Sequence, residues 1–82
     1  MKIDRSFVAT MRSSKESRAI VEATLSMARS FGKSVVAEGI EDELTAEALR
    51  QMGCDIGQGF LFSPAMPIEN LIEMMETRHK AA

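Results

Sequence analysis

Apolar residues along the chain fall into two rhythms, short runs that suit a strand and longer stretches at helical spacing. The short runs are Met1 to Ile3, Ser34 to Ala37 and Cys54 to Gly59. Ser34-Val35-Val36-Ala37 reads as a buried strand, because β-branched side chains pack well on a pleated surface. Met1 to Ile3 is brief, and Gly57 and Gly59 lower the strand propensity of the third run. Ser6 to Met11 has room for a helical turn or more. In the helix that follows, Ser13 and Glu16 have the spacing of a capping box. Ile20, Thr24, Met27 and Phe31 then recur at helical spacing and predict one buried stripe. Gly32 stands where a left-handed residue would end that helix. Asp42 is placed to cap the next one, with Leu44, Ala48, Leu49 and Met52 on one side and Gly53 at its end. Phe60 to Met66 reads as an apolar loop. Pro67 suits the first position of a last helix, striped by Ile68, Leu71, Ile72 and Met75. Arg78 and Lys80 favour the negative end of its dipole.

The order is strand then helix, three times, which predicts an α/β fold with parallel strands joined by crossovers. Such a (βα)3 chain is a small three-layer sheet or part of a larger barrel. A free three-stranded parallel sheet leaves both edges and much apolar surface uncovered, so self-association is expected, for instance as a dimer pairing edges across a two-fold.

Composition narrows the class without changing the fold. The 82 residues make one small domain, 1–82, with 45% apolar and 27% charged residues, which argues against disorder. The net charge of −2 provides no basic field, so neither a nucleic acid polymer nor an anionic membrane is an expected partner. A single cysteine, Cys54, rules out an internal disulfide and any metal site built on paired cysteines. No apolar run approaches the roughly 20 residues of a membrane span, and the first residues do not form a secretory signal. The expected location is the cytoplasm, with tethering through a membrane segment elsewhere in a longer parent as the alternative.

Polar groups collect where the three strands end: Lys2 and Asp4 around the first, Glu38 and Glu41 after the second, Gln58 at the third. In parallel α/β folds ligand sites form at that face, so these residues can converge although distant in sequence. An ammonium, carboxylates and an amide in one cleft suit metal-assisted hydrolysis or phosphate recognition. Plainer readings exist for each. Asp4 suits a turn or cap, Glu41 and Asp42 suit a helix N-terminus, and Gln58 between glycines can satisfy backbone groups in a turn. Gly39, Gly57 and Gly59 can serve backbone geometry. The seven methionines read as core filling, Cys54 as a small buried hydrophobe, and His79 as a solvated side chain.

Three segments carry a family resemblance. Lys2-Ile3-Asp4-Arg5-Ser6-Phe7 resembles the KIDRSF segment of EAL domains, and Val36 to Glu41 resembles their VAEGVE segment with Ile40 for Val. Asp55 to Ser63 resembles their DxxQGYxFS segment, preceded by a similar lead-in over Leu49 to Cys54. The resemblance implies the last three units of a TIM-like (β/α)8 barrel that hydrolyses cyclic di-GMP to pGpG with Mg²⁺ or Mn²⁺. It implies that Lys2 lies near the attacking water and that Glu38 is a general base or metal-site partner. Glu41 and Gln58 would support and line the same pocket, with Asp4 beside them. The family's upstream Glu-Ala-Leu signature, its Asn and Glu ligands and its Asp-Asp pair would all precede Met1. A full barrel takes roughly 250 residues, and hard divalent cations want several oxygen ligands in near-octahedral array. The chain alone is therefore expected to bind no metal and to be inactive, its partner being a second copy or the N-terminal part of the barrel. A non-catalytic EAL-derived interaction module, or a structural remnant, is the alternative.

Overall fold

The computed structural model describes residues 1–81. Its elements run β1 (Lys2–Ile3), α1 (Arg5–Thr10), α2 (Lys15–Ser30), β2 (Val36–Ala37), α3 (Glu43–Gln51), β3 (Ile56–Gly57), β4 (Met66–Pro67) and α4 (Ile68–Ala81). A single 3-10 turn, Phe60–Phe62, lies between β3 and β4. The sheet order is β1-β2-β3-β4. The expected α/β architecture is present: β1 and β2 pair in parallel, as do β2 and β3. It is not wholly parallel, because β4 returns antiparallel to β3, with Ile56 opposite Pro67 and Gly57 opposite Met66. Pro67, expected as the first residue of the last helix, instead ends this edge strand. An edge strand tolerates a residue without an N–H. Ile68 then opens α4 and donates its N–H to the Asp55 carbonyl at 2.8 Å.

Side-chain caps set the helix starts. Asp4 accepts from the Ser6 N–H at 3.0 Å to begin α1, and Asp42 accepts from the Thr45 N–H at 2.8 Å to begin α3. The cap of α2 is Ser14, not Ser13: its Oγ accepts from the Ser17 N–H at 3.2 Å. Ser13 still belongs to the turn closing α1, where its N–H reaches the Thr10 carbonyl at 3.0 Å. Gly32 and Gly53 follow α2 and α3 with φ of +65° and +93°, the left-handed geometry that ends a helix.

All the helices with buried residues pack on one face of the sheet, where Ile3, Ala37 and Gly57 point. Gly57 lies there because a Cβ would fall 2.6 Å from Ile40 Cδ1 and 2.8 Å from Ile68 Cδ1. The core stripe of α2 is Val21, Leu25 and Ala28, whereas Ile20, Met27 and Phe31 of the expected stripe are exposed. On α3 the buried residues are Thr45, Ala46 and Leu49. Ala48 and Met52 pack against the core half-buried, and Leu44 points to solvent. The expected stripe of α4 is present, with Ile68, Leu71 and Met75 buried and Ile72 half-buried against them. Cys54 is buried, and burial pushes its thiol pKa up. Among the described residues, no helix is long and apolar enough to cross a membrane.

Candidate functional site

Strand parity decides which side chains meet at the rim. Successive residues of a strand point to opposite faces. With Ile3, Ala37 and Gly57 turned toward the helices, Lys2, Val36 and Ile56 turn to the helix-free face. The parallel ladder extends one residue beyond each strand. The Glu38 N–H donates to the Ile3 carbonyl at 3.1 Å and the Gln58 N–H to the Ala37 carbonyl at 3.0 Å. Glu38 and Gln58 therefore stand on the helix-free face with Lys2, at the C-terminal ends of adjacent strands.

Lys2 Nζ lies 3.8 Å from Glu38 Oε1, with side-chain exposures of 70% and 26% respectively. Gln58 follows on the next strand, half-buried, and its carbonyl accepts the Ile40 N–H at 3.0 Å. Glu41 is exposed on the loop that continues from Glu38. Asp4 sits at the end of β1, but its Oδ2 accepts from the Ser6 N–H and, at 2.6 Å, from the Ser6 hydroxyl. The hydroxyl and then the backbone N–H of Ser6 hold this carboxyl below its usual pKa. Lys2, Glu38 and Gln58 thus share one rim, Glu41 borders it, and Asp4 is engaged by its own helix.

The surface hollows lie mostly to one side. One of about 510 Å³ runs along α4 by Leu61, Asn70, Met74 and Arg78 and touches none of these residues. Another, of about 420 Å³, is floored by Phe60, Leu61 and Met75 and reaches the site only at Glu41. Among the described residues no three His, Cys, Asp or Glu side chains group as metal ligands. The tripeptide Glu47-Ala48-Leu49 does occur, but inside α3: Glu47 is bound by Arg50 and Leu49 is buried in the core, so it lies off the rim.

Two features had no signature in the sequence. Leu61 and Phe62 both adopt left-handed backbone, with φ of +52° and +61°, which bulky residues seldom do, and Phe62 is fully exposed. The second is the contact of Arg5, Gly39 and Gly59 beneath the rim. The glycines are visible in the sequence, but only the approach of two separate loops to the start of α1 brings them together with Arg5.

The family described as EAL domain matches residues 1–65. An uncharacterized protein of Azorhizobium caulinodans is 55% identical over 67 residues, which is 82% of this chain and 9% of that protein. The cyclic di-GMP phosphodiesterase RocR of Pseudomonas aeruginosa is 34% identical over 73 residues, 89% of this chain and 19% of that protein. Among solved structures, the PaMucR phosphodiesterase in complex with c-di-GMP superimposes with a TM-score of 0.71 at 40% identity, covering 85% of this chain and 28% of that one. The EAL enzyme Bd1971 in its cGMP-bound form gives a TM-score of 0.72 at 36% identity, covering 90% and 20%. The chain thus spans less than a fifth of the length of either curated relative.

Proposed function

The chain belongs to the EAL domain family, and from that premise we propose that it forms the C-terminal part of a metal-dependent cyclic-di-GMP phosphodiesterase domain, contributing Lys2, Glu38 and Gln58 to its substrate rim. The observation that carries this reading is the 3.8 Å approach of Lys2, which opens β1, to Glu38, just past the end of the adjacent parallel strand β2, with Gln58 just past the end of β3. A relative named as a cyclic di-GMP phosphodiesterase and a solved neighbour holding c-di-GMP support the substrate.

In this reading the partly shielded Glu38 carboxylate takes a proton from the water that attacks the phosphodiester. The Lys2 ammonium beside it orients that water and offsets negative charge growing on the phosphoryl oxygens. The Gln58 amide holds the substrate with one donor and one acceptor group, and Glu41 supports the site from its border. The Mg²⁺ or Mn²⁺ of the complete domain does not fit this chain alone. With Asp4 bound to Ser6, Glu38 and Glu41 are the rim acids left, too few for a six-oxygen shell. The 82 residues by themselves are expected to form no pGpG. The test incubates the chain with cyclic di-GMP and Mn²⁺ beside a Lys2→Ala variant; turnover that depends on Lys2 would overturn the inactivity.

The incomplete ligand set favours a second reading, a non-catalytic EAL-derived module acting through binding. Titration with cyclic di-GMP, with and without Mn²⁺, separates the two. Metal-independent saturable binding supports the module, and absence of binding to the chain alone leaves it without a ligand.

A further inference from the structure

Behind the rim, the first residue of α1 and the loops after β2 and β3 stack on one another through two glycines. A Cβ on Gly39 would fall 2.5 Å from Arg5 Cβ and 3.3 Å from Arg5 Cα. A Cβ on Gly59 would fall 2.9 Å from Gly39 Cα and 3.0 Å from the backbone nitrogens of Gly39 and Ile40. These neighbours are backbone or the root of a side chain, so no rotamer change makes room. Both glycines also have positive φ, +73° and +123°. The contact lies one residue beyond Glu38 and one beyond Gln58. It is closed by the Ile40 N–H bond to the Gln58 carbonyl at 3.0 Å.

We propose that Arg5, Gly39 and Gly59 form a spacer column that fixes how far apart Lys2, Glu38 and Gln58 stand. Gly39 and Gly59 are positioning residues of the rim, and the role of the Arg5 stem is its shape at Cα and Cβ. The inference rests on reading that rim as a substrate site. Its geometry is tested without substrate, so it can fail while the functional reading stands, and the reverse.

The experiment measures amide hydrogen exchange of Ile40 against Leu25, a core amide far from the rim, in the full 82-residue chain. Gly32→Ala is the control, because Gly32 has φ +65° with nothing within 4 Å of its added Cβ. That variant should alter Ile40 and Leu25 in proportion. Gly39→Ala should speed Ile40 exchange by about tenfold relative to Leu25, the signature of local opening. Arg5→Gly combined with Gly39→Ala removes the colliding Cβ and should bring that ratio back toward the wild-type value. Gly59→Ala, whose methyl meets only backbone, should show the same acceleration without recovery by Arg5→Gly. An Ile40 ratio in Gly39→Ala no different from that of Gly32→Ala, or no recovery in the double variant, overturns the proposal. If Gly39→Ala does not fold, a folded double variant with the wild-type ratio supports it. A double variant that stays unfolded while Arg5→Gly alone folds overturns it.

Discussion

Glu38 is largely shielded while its partner Lys2 stands mostly in solvent, so their ion pair adds little stability; exposed pairs are worth about 0–1 kcal/mol. The significance of the pair is where it puts the charges. That these residues gather around the strand ends was legible in the sequence; which of Lys2, Ile3, Glu38 and Gln58 face away from the core follows from strand parity once the pairing register is known. The fate of the Asp4 carboxylate was legible only as one of two readings, since a cap and a pocket residue both sit at a strand end. Asp42 shows the energetic side of such a cap. Burial alone would raise its pKa, but the Thr45 N–H and hydroxyl and the Arg12 guanidinium outweigh burial and hold it below its usual 3.8. A carboxylate with a depressed folded pKa contributes stability that is complete above its unfolded value and lost as pH falls through the folded one. Asp42→Ala should therefore cost about 1 kcal/mol at neutral pH, the usual worth of an N-cap. Asp42→Asn keeps a capping oxygen but does not titrate. Denaturant midpoints between pH 7 and pH 3 should fall less steeply in Asp42→Asn than in the wild type. Equal slopes would mean that Asp42 is not a source of the acid sensitivity.

Helix α2 is where the hydrophobic pattern read from the sequence departs most from the structure, and the cause is instructive. Its apolar residues include Ile20, Val21, Leu25, Met27 and Ala28, with Phe31 capping its end, a band wider than one packing face. Periodicity places a stripe on such a helix without saying which flank of the band meets the sheet. The structure turns Val21, Leu25 and Ala28 inward and leaves Met27 half in solvent. The same ambiguity displaced the α3 stripe, where Leu44 points out and Ala46 points in. On α4 a narrower band left one solution, and the residues expected there are the ones buried or packed. Strand β4 escaped the sequence reading for a different reason. Two residues, one of them Pro67, carry no period, and their pairing depends on a turn through left-handed Leu61 and Phe62. The register of α2 predicts a contrast between neighbours. Leu25→Ala should cost about 2–5 kcal/mol as a core truncation. Met27→Ala should stay within about 0.5 kcal/mol as a surface change. Urea midpoints of the two variants measure the difference, and the opposite order would place the helix rotated by its exposed flank.

On the scale of the whole molecule, the helices cover one face of a four-stranded sheet, and the other face carries the rim. Lys2, Glu38 and Gln58 stand there beside half-buried Val36 and Ile56, with no second layer among the described residues. Both β1 and β4 are edges, and exposed strand edges are templates for pairing with another chain. Ile20, Met27, Phe31 and Phe62 add apolar surface that a monomer of this size has little polar area to offset. A specific interface takes about 800 Å² from each partner, and the chain exposes 5348 Å² in all. A dimer would thus cover a modest fraction of the surface while removing an edge or an apolar flank. Sedimentation equilibrium should accordingly give a mass that rises with concentration through the micromolar range. Which surface is responsible is separable, because the edge of β1 and the flank of α2 are different parts of the molecule. Association that disappears in Met27→Glu assigns it to α2, whereas association that survives assigns it to a strand edge, the bare sheet face or Phe62. A compact monomer at high micromolar concentration would mean that the bare sheet face and its edges are tolerated in water, and that the drive inferred from them is too small to join two copies.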